Sequence, residues 1–121
     1  MTTPTVVWTE IPVTNLEASA AFYADVFGWK MEIAAMGPND AAVFNGETQS
    51  IAGHLYAGSP AKDGGAVIHL ALPGSLEEGI TRCEAAGGQI TSPEIEVPPG
   101  RYVYAKDLDG NTLGLFEPKA A

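Results

Sequence analysis

The chain has 121 residues, enough for one compact domain but not for separate cofactor and substrate domains. Apolar residues make up 45% of it and charged residues 17%, a globular rather than a disordered composition. Fifteen acidic against six basic residues give a formal net charge of −9, which disfavours nucleic acid and anionic membrane surfaces as partners.

The opening segment and the cysteine content narrow the class of protein further. The opening segment MTTPTVVWTE has neither a basic stretch nor a continuous apolar one, so we expect a cytoplasmic protein without a secretory signal. No apolar run approaches the ~20 residues that span a bilayer. The single cysteine, Cys83, excludes an internal disulfide, and one Cys with two His excludes a thiolate zinc site.

The first half of the chain predicts one strand, one helix and three further strands. Residues 6–13 alternate as a strand does, and Thr14 and Asn15 are helix-capping types. A stripe at helical spacing then ends at Gly28. The stripe consists of Leu16, Ala20, Tyr23 and Phe27. The later strands are predicted at residues 29–35, 41–44 and 51–56, the last two joined through the hairpin dipeptide Asn45-Gly46.

The second half predicts the same order of elements. A strand at residues 67–72 precedes a helix capped by Ser75 and stopped by Gly87 and Gly88. The helical stripe consists of Leu76, Ile80, Cys83 and Gly87. Residues 89–97 contain Pro93 and are predicted as an edge strand or a broken one. Two more strands are predicted at residues 102–106 and 112–116, separated by a turn that holds Asp109-Gly110.

The two halves match at a spacing of about 60 residues, which predicts an internal duplication. Leu16 matches Leu76, and Gly28 matches Gly88. Helices of equal length that both end on glycine, set in the same order of strands, favour duplication over chance. We therefore predict a single domain, residues 1–121, built from two βαβββ repeats at about 5–57 and 66–118, with a linker at 58–65.

Two strings resemble a known superfamily. Trp8-Thr-Glu-Ile-Pro-Val-Thr-Asn-Leu, followed by Ala21-Phe-Tyr-Ala-Asp-Val-Phe-Gly-Trp29, resembles the opening of vicinal oxygen chelate proteins, which include glyoxalase I, bleomycin resistance proteins and extradiol dioxygenases. The resemblance covers nearly the whole chain. It implies an α+β fold in which two βαβββ modules form a curved-sheet cup that holds a small molecule and often a divalent metal. It also implies a homodimer.

The resemblance implies metal ligands, usually His, Gln or Glu, on the inner faces of the first and last strand of each module. Those positions fall on Trp8 and Gly53 in the first module, and on Val67 and Gly114 in the second. None of these side chains coordinates a divalent cation. We therefore predict no metal and no cofactor. A divalent metal is the alternative if the alignment is shifted by one residue, as it would be with His54 in place of Gly53.

Strand alternation selects the residues that would carry chemistry. If Trp8 faces the cup, Glu10 shares its face and Ile11 and Val13 face the helix. The repeat carries Glu10 onto His69, so Trp8, Glu10 and His69 are predicted to line one cavity. Glu10 and His69 are candidates for acid–base catalysis, or for a structural ion pair that satisfies two buried polar groups.

Other residues are weaker candidates. Tyr104 and Phe116 are predicted to bind the ligand. The orientation of Tyr102 and Tyr104 stays open, and Tyr102, Tyr104 and Phe116 are all candidate core residues as well. His54 is expected to point outward or reach solvent, since its parity is opposite to that of Gly53. Cys83, on a helical stripe, is expected to be a small core residue. Residues 107–111 resemble a calcium loop only faintly, because the glycine comes too early and the closing Glu is missing, and a hairpin turn explains them better.

Two function hypotheses follow, and a third, a purely structural role, has nothing in the sequence to favour it. The first is a small-molecule-binding protein of the glyoxalase/bleomycin-resistance type, with a metal-free aromatic cup formed around Trp8. The second is an enzyme of the same superfamily, of the lyase, isomerase or dioxygenase type. It would act through Glu10 and His69, or through a metal if the ligands are misaligned. We rank the binding protein first, because the missing ligands disfavour glyoxalase I activity.

Overall fold

A computed structural model describes residues 6–36, 39–46, 51–61 and 65–119. The described chain forms two helices and nine strands, which confirms the predicted α+β class. The helices are Leu16–Phe27 (α1) and Leu76–Ala85 (α2). The strands of the first half are Trp8–Val13 (β1), Glu32–Met36 (β2), Asn39–Val43 (β3) and Ala52–Ala57 (β4). Those of the second half are Ile68–Ala71 (β5), Gln89–Ile90 (β6), Ile95–Val97 (β7), Gly100–Lys106 (β8) and Thr112–Pro118 (β9).

Each half of the chain forms its own mixed sheet. The first sheet has the order β1-β4-β3-β2, and the second has the order β5-β9-β8-β6, with β7 also paired to β8. In both sheets the first strand of the half pairs in parallel with the last, and the other pairs are antiparallel. The weak strand expected at 89–97 is divided into β6 and β7 on either side of Pro93, which cannot donate to a ladder. The repeat boundaries at 5–57 and 66–118 stay a prediction, and residues 5 and 62–64 lie outside the described chain.

The helices begin and end where the capping residues predict. The Asn15 side chain accepts from the Ala18 N–H at 3.0 Å, and α1 stops at Gly28, whose φ of 72° suits a residue without Cβ. Ser75 and Glu78 form a reciprocal capping box at α2, the Ser75 Oγ accepting from the Glu78 N–H at 3.1 Å. The helices are 12 and 10 residues long rather than equal. After α2 the chain turns at Gly87, which has a φ of 100°, one residue before Gly88, the predicted match of Gly28. Neither described helix is long and apolar enough to cross a bilayer.

The helix-facing sides of both sheets share one hydrophobic core. It joins side chains of the two halves, so the halves fold as one unit rather than as two small ones. Its fully buried members include Val13, Tyr23, Val26, Leu55, Leu76, Cys83, Leu113 and Leu115. Cys83 is thus a core residue, as predicted, and burial raises the pKa of its thiol to about 11, which keeps it protonated and unreactive.

The turn at residues 107–111 locks the second half onto the first. The Asp107 carboxylate is buried and accepts from the Tyr23 hydroxyl at 2.8 Å and from the Asn111 N–H at 2.8 Å. The Asn111 side chain in turn donates to the Pro12 carbonyl at 2.8 Å. These bonds occupy the Asp107 oxygens, so the segment is the tight turn that the sequence predicts and not a calcium loop.

Candidate functional site

The first cluster of polar side chains lies on β1, on the face turned away from the core. Ile11 and Val13 are 3% and 0% exposed beneath the helices, which confirms the predicted alternation along this strand. Trp8 and Glu10 therefore project from the opposite face, as the sequence predicts.

His54 joins this cluster, which corrects the expectation that it faces away from Trp8 or reaches solvent. Glu10 on β1 is the register partner of His54 on β4. The Trp8 indole Nε1 lies 2.9 Å from His54 Nδ1, and His54 Nε2 lies 3.2 Å from Glu10 Oε1. We call these three residues the polar triad. Gly53 instead faces the core side, where an added Cβ would overlap Thr9 and Phe44.

The signal for His54 was present in the sequence. Leu55 is fully buried, so its strand neighbours His54 and Tyr56 must face away from the core. The family position of Gly53 predicts the opposite phase for β4. Turning the most apolar residue of the strand, Leu55, toward the core instead predicts His54 on the face of Trp8.

The second cluster lies on β5, β8 and β9, again on the face turned away from the core. The His69 ring meets Tyr102 edge-on, with centroids 4.5 Å apart, and lies 5.8 Å from Phe116 and 5.9 Å from Tyr104. The Tyr102 and Tyr104 hydroxyls are 3.4 Å apart, so both tyrosines face the same way, which settles the orientation that the sequence left open. We call these four residues the aromatic cluster.

The pKa values of His69 and Tyr102 reflect their positions in the aromatic cluster. Partial burial lowers the pKa of His69 below its ordinary value of 6.5, although much of the residue stays exposed, so its imidazole is neutral at neutral pH. The hydrogen bond with Tyr104, and then burial, raise the pKa of Tyr102. Both rings therefore present an uncharged surface, and edge-to-face contacts among such rings are favourable.

Within one chain the two clusters remain separate. No hydrogen bond, ion pair or ring contact joins Glu10 to His69 in the described ranges 6–36, 39–46, 51–61 and 65–119. Each cluster stands on its own sheet, on the side opposite the shared core. The single cavity around Trp8, Glu10 and His69 therefore stays a prediction.

Two cavities among the described residues each have members of at most one cluster in their walls. A cavity of about 510 Å³ lies at the ends of β7, β8 and β9, beside Arg101. The Arg101 guanidinium there contacts the carboxylates of Glu77 and Glu117, each at 2.7 Å, which neutralises its charge. A smaller cavity, of about 130 Å³, has Glu10 in its wall together with Ile68 and Leu113.

Within one chain, the described donors do not complete the divalent metal site that the resemblance implies. A catalytic zinc site takes three protein ligands, and within one chain Glu10 and His54 supply only two. No group of three His, Cys, Asp or Glu side chains suited to a metal occurs among the residues that the structure describes. The two metal-ligand positions that the resemblance implies in the second half hold Val67 and Gly114, whose side chains have no donor atom.

The match to known proteins identifies the superfamily. The model of the Glyoxalase/Bleomycin resistance protein/Dioxygenase superfamily matches residues 5–115. The chain belongs to this superfamily. Comparison with curated protein sequences gives no significant match.

Solved structures with this fold are similar over nearly their whole length. A glyoxalase/bleomycin resistance protein from Albidiferax ferrireducens T118 matches with a TM-score of 0.72 and 17% identity, over 96% of this chain and 100% of that one. A superfamily enzyme from Burkholderia phytofirmans PsJN matches with a TM-score of 0.71 and 14% identity, over 93% and 98%. TnmS3, an antibiotic binding protein from Streptomyces sp. CB03234, matches with a TM-score of 0.63 and 20% identity, over 98% and 99%. At these identities the likeness establishes the fold, as predicted.

Proposed function

We propose that this protein binds a planar, largely apolar small molecule between the aromatic cluster and Trp8. The observation that carries the proposal is the aromatic cluster itself, whose rings cover the outward face of the second sheet instead of the core. Stacked and edge-on rings offer a flat guest large contact area at little entropic cost. TnmS3, which has the same fold, is an antibiotic binding protein and so a precedent for small-molecule binding by this architecture.

The proposed site is completed by a second copy of the chain. Since the polar triad and the aromatic cluster stand on separate sheets, we propose a homodimer in which the triad of one protomer faces the aromatic cluster of the other. The interface should exceed the ~1,000 Å² that separates biological contacts from lattice ones. Light scattering at micromolar concentration should give a dimer mass, and a monomer mass would contradict this arrangement.

Mixed dimers test whether the site is shared. One protomer carries Trp8→Ala and the other Tyr102→Ala. If each site draws on both protomers, one of the two sites in the mixed dimer is intact and half the binding capacity returns. If each site lies within one chain, both sites are damaged and no capacity returns. The two homodimeric variants are the controls.

The proposed site works without a metal. Protein purified without a histidine tag should contain no stoichiometric Ni, Zn, Mn or Fe by elemental analysis. About one transition metal per chain would restore the lyase alternative.

A matched pair of probes tests recognition of a planar guest. 2-Naphthol and decahydro-2-naphthol have the same carbon skeleton and hydroxyl, but only the first is flat. Calorimetry should show tighter binding of 2-naphthol, and Tyr102→Ala should weaken it by about 1–3 kcal/mol, the scale of a lost aromatic contact. Ile33→Ala, which truncates an exposed apolar residue of β2, should change nothing. Equal affinity for both probes, or no binding of either, would contradict the proposal.

The second candidate function is acid–base catalysis, which the contact of the Glu10 carboxylate with an imidazole favours. Glu10 and His69, the pair that the sequence suggests, would then come from two protomers. A compound that raises the melting temperature should be recovered unchanged if the protein only binds it. If it is converted, Glu10→Gln or His69→Asn should lower turnover by ~10²–10⁴-fold with affinity nearly intact.

A further inference from the structure

The polar triad is a chain of two contacts whose order is set by the Trp8 indole. An indole N–H can only donate, so His54 Nδ1, 2.9 Å away, must present its lone pair to Trp8. A neutral imidazole that accepts at Nδ1 carries its proton on Nε2. Nε2 lies 3.2 Å from Glu10 Oε1, within ion-pair distance. The nitrogen that carries the proton is therefore the one beside the Glu10 carboxylate.

This order limits what each member of the triad can do. His54 accepts a further proton only at Nδ1, where the resulting N–H would face the indole N–H of Trp8. Glu10, as a carboxylate, has only acceptor oxygens, one of which lies beside His54 Nε2, and its side chain is 64% exposed. The triad thus presents an oriented carboxylate to the outside.

We propose that Trp8 and His54 hold Glu10 as the anion that receives a positively charged nitrogen of the guest, an inference that rests on the planar-guest function proposed above. Hydrogen bonds from a charged donor to a carboxylate are the strong kind. The formal net charge of −9 favours the approach of a cation. The faces of the Trp8 indole and of the aromatic cluster attract cations as well. The guest class that follows is a flat aromatic ring system bearing an ammonium or amidinium group.

Three probes with one ring system test the charge preference. 2-Naphthylmethylamine, 2-naphthol and 2-naphthoate are cationic, neutral and anionic at neutral pH. Calorimetry on the full-length protein should show affinity falling in that order. Glu10→Gln should reduce the advantage of the amine over 2-naphthol by about 3- to 10-fold, the range between exposed and charge-assisted pairs.

The control separates Glu10 from the general charge of the protein. Glu84 is an exposed carboxylate of α2, and Glu84→Gln removes the same unit of charge away from the triad. The preference for the amine should survive this change. If Glu84→Gln lowers it as much as Glu10→Gln does, or if all three probes bind equally, the inference is overturned while planar binding stands. If no probe binds, the planar-guest function fails and the inference fails with it.

The state of His54 gives a readout that needs no guest. Long-range ¹H–¹⁵N spectra of the protein should show His54 protonated at Nε2 with Nδ1 as acceptor. Trp8→Phe keeps a ring but removes the indole N–H, so His54 should become a mixture of tautomers. The cation preference should then fall part of the way toward that of Glu10→Gln. A proton on Nδ1 in the unaltered protein would overturn the inference.

Discussion

The two outward clusters occupy corresponding places in the two sheets and differ in chemistry. In the first sheet Glu10 on the first strand is paired with His54 on the last. In the second sheet His69 on the first strand is paired with Gly114 on the last. The parallel pairing is the same, but one pair consists of two polar side chains in contact, and the other of an imidazole that lies over a glycine.

The difference shows how one backbone plan supports two kinds of surface. His54 accepts a hydrogen bond from Trp8 and contacts the Glu10 carboxylate, whereas His69 is held by the edges and faces of three rings. Partial desolvation lowers the pKa of His69, which keeps the second cluster uncharged at neutral pH. A guest placed between the two surfaces would meet charge on one side and apolar rings on the other.

The largest effect on the free energy of unfolding is expected from a change at Asp107, where the two halves of the chain are joined. The Asp107 carboxylate accepts from the Tyr23 hydroxyl, from the Asn111 side chain and from two backbone N–H groups. Asp107→Asn keeps the shape but removes the charge, and should lower the free energy of unfolding by about 2–4 kcal/mol, since bonds to buried charged groups are worth more than neutral ones. Urea denaturation at neutral pH measures this. Asp25→Asn, at an exposed position of α1, should change stability by no more than about 0.5 kcal/mol, and equal losses in the two variants would contradict the assignment.

Tyr23 makes the stability of the same junction depend on pH in the alkaline range. Burial, then the charge of Asp107, raise the pKa of Tyr23 well above 10.0. The unfolded chain therefore loses this proton first, so stability is complete below about pH 10 and falls as the pH rises through the pKa of the folded state. Tyr23→Phe should cost about 1–3 kcal/mol at neutral pH and flatten the alkaline decline. Unfolding curves from neutral to alkaline pH decide this, and an unchanged slope would show that Tyr23 is not the group responsible.

Much of the fold was predictable from the sequence because its determinants are local. Asn15 and Gly28 bound the first helix, and the stripe from Leu16 to Phe27 sets its buried face. Where Glu10 lies relative to His69 was not predictable, because strand parity fixes the face of a sheet but not how two sheets pack. His54 was predictable from Leu55, yet its bond to Trp8 depends on a parallel pairing across 46 residues.

A substitution at Gly114 tests whether the lack of a side chain opposite His69 allows the aromatic cluster to form. A Cβ at Gly114 would overlap the His69 ring, so Gly114→Ala should tilt that ring away from Tyr102. The ring can move more easily than backbone, so the cost in stability should be about 1–2 kcal/mol. The His69 ring protons should lose the shift caused by Tyr102, as measured by NMR, and naphthol binding should weaken. Unchanged His69 signals would show that the ring does not depend on the glycine.

The smallest expected effect is the response of His69 itself to acid. Burial lowers its pKa from 6.5, so the folded protein favours the neutral ring and the unfolded chain takes up the proton first as the pH falls. The contribution of His69 is therefore complete above about pH 6.5 and is lost as the pH drops through the pKa of the folded state. His69→Gln removes the titration while keeping a polar side chain of similar reach, so the difference in unfolding free energy between the two proteins should shrink on acidification. If the two stability curves run parallel between neutral and mildly acidic pH, His69 is not set apart from solvent by its neighbouring rings, and the contrast between the two clusters loses its electrostatic basis.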